Sequence, residues 1–226
     1  MNDRRARDLS RRNAGKIPSR DRILIVTEGE KTEVNYFNEM RKQLRISSMK
    51  LKVVPSSIGT DPISVVNYAE RLITKGLGKT GAENSPKAFE KVFAVFDRDQ
   101  NFGAFYQARQ QIGKFNGKYK TWDTKTPINF SSIGSAPNFE LWLLLHFEAL
   151  SPCEMHIWDP INRLRKHLPD YEKNDSSLFG KTQGRLQKAL QNADRLNSDP
   201  DRKKTDIETE VPILIRELLK TPGQRG

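Results

Sequence analysis

Five acidic side chains stand out by type and spacing: Glu28 and Glu33, Asp97 and Asp99, and Glu140. Glu28 follows the apolar run Ile23-Leu24-Ile25-Val26, and Glu33 lies in the first turn of the helix that comes next. Asp97 and Asp99 close a second run, Val92-Phe93-Ala94-Val95-Phe96. Their i, i+2 spacing aims both side chains the same way if the backbone stays extended. Glu140 opens the apolar stretch that follows Pro137. Carboxylates crowded together repel one another and raise each other's pKa unless a cation intervenes. A donor set made only of oxygen suits Mg²⁺ or Mn²⁺ rather than zinc. Two such ions about 3.5–4 Å apart activate water and stabilise the leaving oxygen when a phosphodiester is cleaved. The expected chemistry is metal-dependent phosphodiester hydrolysis.

The rest of the composition fits a polyanionic substrate. The 226 residues carry a formal charge of +11, and strongly basic proteins of this size tend to meet nucleic acid. A lysine-rich, well-solvated surface is the plain alternative. The first 22 residues hold eight basic side chains against three acids and almost nothing apolar, so residues 1–21 read as a flexible basic arm. Cys153 is the only cysteine, which leaves no internal disulfide and no cysteine zinc cage. The densest apolar run, Leu141 to Leu145, is far too short to span a bilayer, and no apolar segment of a secretory signal follows the basic start. The expectation is a soluble, cytoplasmic protein with no membrane partner. Gly78-Lys79-Thr80 and Gly180-Lys181-Thr182 lack the upstream glycine of a phosphate-binding P-loop. No nucleophile-elbow motif is present, and His156 and His167 have no acidic or cysteine partners at ligand spacing. His146 lies six residues past Glu140, on a different helix face, and reads as a packed core histidine.

The acids need elements to position them. Ile23–Val26 reads as a strand buried on both faces. Val34, Phe37, Met40 and Leu44 recur at helical spacing from Thr32. Leu51–Ile58 reads as a second strand. Asp61-Pro62 starts a helix, Asp as N-cap and Pro at its first position, with Val66, Ala69, Leu72 and Ile73 inward. Residues 74–90 read as a loop, Lys91–Phe96 as a central third strand, and Phe102, Phe105, Arg109 and Ile112 as a helix. Pro127–Ser132 reads as a fourth strand, Gly134–Pro137 as a turn and Asn138–Phe147 as a central helix. Strands alternating with helices imply right-handed crossovers and a mainly parallel sheet, at whose strand carboxyl ends functional groups collect. The expected fold is α/β: a four-stranded sheet flanked by helices over residues 22–150. A helical C-terminal extension, 151–226, packs on this core with helices at about 158–168, 178–196 and 206–220.

Ile23-Leu24-Ile25-Val26-Thr27-Glu28-Gly29-Glu30-Lys31-Thr32-Glu33, followed by Val95-Phe96-Asp97-Arg98-Asp99, resembles a Toprim core, as found in topoisomerases, primases and OLD-type nucleases. Adding Ser135 to Phe147 makes the chain similar to the RloB-like family. The resemblance implies a Toprim-type fold and a nuclease working in bacterial anti-phage defence, of the abortive-infection type, beside an ATPase partner. By that resemblance Glu28 matches a first-strand glutamate that is a metal ligand or general acid/base. Asp97 and Asp99 match the metal-binding aspartate pair, while Glu33 and Glu140 match acids that ligate metal or support its ligands. Ala136 stands where a polar, Asn-like residue is expected before Pro137.

Other residues carry weaker signals. Lys31, at a helix start beside the acids, suits contact with a scissile phosphate as well as it suits a surface ion pair. Arg98 points away from the aspartates on an extended strand and reads as structural. Arg163, Arg165, Lys166, Lys173, Lys181, Arg185 and Lys188, interleaved with Trp158, Tyr171 and Phe179, suit a nucleic-acid-facing surface in aggregate. The substrate is left open between RNA, tRNA included, and DNA, and a homo-oligomer is compatible with the sequence. Two rival readings stay open. One is a non-catalytic module that binds nucleic acid or a partner. The other is a phosphotransferase using Asp97 as nucleophile, against which Asn101 stands where Thr or Val is usual.

Overall fold

The computed structural model describes residues 22–79, 81–151, 160–201 and 207–221. The basic arm, Cys153, His156 and Trp158 lie outside the described residues. Five strands form one sheet: β1 (Ile23–Thr27), β2 (Leu51–Pro55), β3 (Lys91–Asp97), β4 (Asn129–Ala136) and β5 (Glu208–Thr209). Their spatial order is β2-β1-β3-β4-β5. The first four run parallel, and β5 runs antiparallel to β4. The helices are α1 (Thr32–Gln43), α2 (Pro62–Lys75), α3 (Phe102–Phe115), α4 (Glu140–Leu144), α5 (Pro160–His167), α6 (Leu178–Thr182), α7 (Leu186–Ser198) and α8 (Val211–Lys220).

The continuous apolar runs of β1 and β3 feed two cores, one on each face of the sheet. Ile23 and Ile25 of β1, with Phe93 and Val95 of β3, face a core shared with α1, α4 and the C-terminal helices. Leu24 and Val26, with Val92, Ala94 and Phe96, face the opposite core, closed by α2 and α3. Residues beyond 160 therefore complete the first core, where Leu164, Leu178, Leu190, Leu214 and Leu218 are buried beside Phe37 and Trp142. Tyr36 is the aromatic hub of that side. Its ring meets Phe37, Phe139 and Phe179 edge-on at 5.5 Å, and its hydroxyl accepts the Trp142 Nε1 hydrogen bond at 3.0 Å.

Several helix signals act as their chemistry dictates. The Asp61 carboxylate accepts from the Ile63 and Ser64 amides at 3.0 and 3.1 Å, satisfying donors that helix geometry leaves open. Val66, Ala69, Leu72 and Ile73 all face inward. His146 is fully buried, donating from Nδ1 to the Trp142 and Leu143 carbonyls.

Other expectations need correction. The sheet has five strands rather than four. A two-residue strand is too short to show an alternating pattern; β5 is held instead by tertiary contacts. Arg109 bridges Glu208 and Glu210 at 2.5 Å each, and Glu210 accepts the Gly134 amide at 2.9 Å. β4 runs on to Ala136, through the expected turn, because its register with β3 continues to Asp97↔Ser135. Gly134 is needed inside that strand, since a Cβ there would stand 2.6 Å from the Phe105 ring. β2 stops at Pro55, three residues early. In α1 it is Tyr36, not Val34, that is buried with Phe37 and Met40. The segment 178–196 is two α-helices joined by a 3₁₀ turn at Gln183–Arg185, and α8 starts only at Val211, after β5. The loop 74–90 includes the last residues of α2 and a short 3₁₀ turn at Ala82–Asn84. No helix among the described residues is long and apolar enough to cross a membrane.

Candidate active site

At the carboxyl ends of β1, β3 and β4 lies an open pocket of about 460 Å³ lined by Glu28, Glu33, Asp97, Asp99 and Glu140, with Lys31, Thr60 and Lys173 at its edge. All five acids named from the sequence thus share one hollow. Each is placed by a separate local device. Where β1 leaves the sheet, the Glu28 side chain takes over the ladder: its Oε2 accepts the Asp97 amide at 2.9 Å, while its own amide donates to the Val95 carbonyl at 2.9 Å. Glu33 sits at the second position of α1, its carboxylate folded back onto the Gly29 amide. Gly29 is required by that approach, because a Cβ on it would fall on the Glu33 carboxylate.

Asp97 is the last residue of β3. The chain turns immediately afterwards, with Asp99 at φ 42°, so the two aspartates do not share a face through a continuing strand. They converge for a different reason. The Arg98 amide donates to Ser135 O at 2.8 Å and the Asp99 amide to Pro137 O at 2.9 Å, which ties the turn after β3 to the turn after β4. The same tie brings in Glu140, in the first turn of α4. Glu140 is buried and accepts the Tyr171 hydroxyl hydrogen bond at 2.8 Å.

The electrostatics record how close these groups are. Burial, then the charges of Glu33, Glu140, Glu28 and Asp99, holds the Asp97 carboxyl well above the usual range. Burial, with Asp99, Glu33 and Asp61 adding, pushes Glu28 from 4.5 up to about 7 against the pull of the Asp97 amide. Burial and Glu140 raise Glu33. Asp97 Oδ1 is enclosed and has no hydrogen-bond partner. Buried oxygens of this kind are normally satisfied, and a clustered excess of negative charge calls for a cation. The donor set and the orphaned oxygen both fit a hard divalent ion. Even so, no three acidic, histidine or cysteine side chains among the described residues stand as a ready-made metal cage.

Residues 23–218 match the family described as RloB-like protein. The chain belongs to the RloB-like family. No curated protein and no solved structure matches it significantly. The family match spans both the segment that carries the five acids and the helices beyond it.

The structure distributes the basic residues differently from the acids. Lys31 is exposed at the pocket edge. Lys173 stands 3.8 Å from Glu140 with two-thirds of its side chain in solvent. In sequence it is one of the seven basic residues singled out in the C-terminal half. Its loop reaches the acids because Thr32 Oγ1 donates to Lys173 O at 2.8 Å and Asn35 donates to Asn174 O at 3.0 Å. Tyr171, read as a surface aromatic, is instead buried against Glu140, and Phe179 is buried in the core. Arg163 is paired with Glu148, and Lys181 with Asp175 at 2.7 Å. Arg185 lies over the Phe147 ring at 5.2 Å, and Arg165 and Lys166 are exposed on α5. None of these five lines the acid pocket. Arg98 is buried, its guanidinium 4.4 Å from the Phe102 ring centroid. Asn101 caps α3, accepting the Ala104 amide. Neither Tyr171 nor Lys173 bears a local signal of a role at the acids; only the chain path over α1 brings them there.

Proposed function

We propose that this protein is a Mg²⁺- or Mn²⁺-dependent nuclease that cleaves phosphodiester bonds in RNA, tRNA included, or in DNA. One observation carries the reading: five carboxylates from four segments converge on one pocket in a chain of net charge +11. Asp97, Asp99 and Glu28 would hold the metal, with Glu33 and Glu140 as further ligands or supports. A divalent ion there supplies Lewis-acid polarisation of the phosphate and a lowered pKa for water. Glu28 is the carboxylate that would complete the metal's ligands or, left off the metal, take a proton from the attacking water. Lys31 and Lys173 offer positive charge at the rim for the phosphate oxygens. In this reading the fold is of Toprim type, and the protein acts in cytoplasmic anti-phage defence beside an ATPase partner, as the family resemblance implies.

The test is cleavage of labelled RNA and DNA with added Mg²⁺ or Mn²⁺, alone and with an ATPase partner. Wild type should cut, and Asp97→Ala should abolish cutting. Equal activity in the variant would remove Asp97 from the mechanism. The second reading, a non-catalytic binding module, is favoured by the lack of a ready-made ligand cage among the described residues. Nucleic-acid binding with no turnover, and no Mn²⁺ uptake by calorimetry, would establish it instead. The phosphotransferase reading is weaker, because Asn101 serves as a helix cap and leaves the usual Thr or Val absent.

A further inference from the structure

A second hollow, about 380 Å³, opens beside the acid pocket and is lined by Asp99, Gln100, Phe102, Pro137 and Asn138. Asp99 lines both hollows, so they adjoin at that residue. Three features of the second are not explained by the carboxylate chemistry. Phe102, at the first turn of α3, leaves 43% of its surface in solvent, although large aromatics are normally buried for their area. Arg98 lies 4.4 Å from the centroid of the same ring, which fixes and polarises it as a platform. The side-chain oxygen of Asn138 is enclosed without a hydrogen-bond partner. One turn further along α3, Tyr106 is also 45% exposed.

We propose that this hollow takes one unpaired nucleobase next to the phosphate presented to the acids, stacked on Phe102 and hydrogen-bonded by Asn138. The inference rests on the nuclease reading and narrows its substrate to unpaired nucleic acid. The volume lies within the roughly 300–1,000 Å³ of small-molecule sites. A ring platform accepts any base, because every base has a π face. The Asn138 amide carries both donor and acceptor groups, and a rotation that brings its enclosed oxygen into the hollow would present them to a base edge. A base inside a duplex is withheld from such a hollow, since it must first be unstacked and unpaired.

The test measures binding by fluorescence anisotropy, with Ca²⁺ present, of a mixed-sequence single strand of about 12 nucleotides. The strand is made as DNA and as RNA, and it is compared with its duplex and with an abasic strand of equal length. Phe102→Ala should weaken single-strand binding by about tenfold or more, and Phe102→Trp should restore it. Asn138→Ala should weaken binding to a lesser degree. Binding of the abasic strand and of Mn²⁺ should be unchanged in all three variants. Wild type should prefer single strand to duplex in DNA, RNA or both. Unchanged single-strand affinity in Phe102→Ala, or equal loss on the abasic strand, overturns the base site while leaving the nuclease reading intact. Loss of Mn²⁺ uptake in wild type, with no cleavage of any strand, overturns both.

Discussion

The sharpest consequence of the acid cluster is that one substitution should stabilise the metal-free protein while weakening metal binding. Glu28→Gln removes a charge but keeps a carbonyl oxygen able to accept the Asp97 amide, now bonded at 2.9 Å. Burial and neighbouring acids raise Glu28 from 4.5 to about 7. The folded state therefore holds the proton that the unfolded state releases between those values, so this residue's contribution to stability falls as pH rises. It costs nothing well below 4.5 and its full amount above 7. At about 1.4 kcal/mol per unit the upper bound is about 3 kcal/mol. Partial solvent contact of the side chain reduces it to about 2 kcal/mol, or about 4–8 °C in Tm for a chain of this length. Urea and thermal melts in EDTA should show Glu28→Gln more stable than wild type by that amount at pH 8. At pH 5 the gain should shrink to about a quarter, because wild-type Glu28 is then mostly protonated. Saturating Mn²⁺ should reverse the order at pH 8, since ligand binding stabilises in proportion to affinity. A variant less stable than wild type at pH 8, or a gain that does not change with pH, would refute the crowding argument.

Three further outcomes test other parts of the structure. Gly29→Ala places a Cβ on the Glu33 carboxylate, which must swing away, so calorimetry should show Mn²⁺ affinity reduced about tenfold or more while urea titration shows little change in stability. Tyr36→Phe leaves the Trp142 indole N–H buried without its acceptor, which should cost about 1–3 kcal/mol in urea. Buried His146 is held down to about 4, below its usual 6.5, so the unfolded state gains the proton first and stability is lost as pH falls from about 6.5 to about 4. His146→Gln, which retains a donor for the Trp142 carbonyl, should narrow its stability gap to wild type by about 3 kcal/mol between pH 7 and pH 4. A gap constant with pH would show that His146 does not titrate in that range.

The sequence by itself determined what local chemistry determines. Apolar runs long enough to be buried on both sides gave β1 and β3 their positions, and Asp61-Pro62 started α2 at the expected residue. All five acids lie where strands end or helices begin, so a parallel α/β order was enough to bring them to one edge. Tertiary structure decided the rest. β5 exists because Arg109, far away in sequence, binds the acids on either side of Thr209. Asp97 and Asp99 meet through cross-turn hydrogen bonds to Ser135 and Pro137, not through strand alternation. Tyr171 and Lys173 reach Glu140 only because a loop is tied across α1. Phe102 is exposed beside the acids because its helix begins there, although its residue type alone argues for the core. Periodicity and capping act over a few residues, whereas these contacts close loops of tens of residues, and no local pattern encodes which partner lies at the far end.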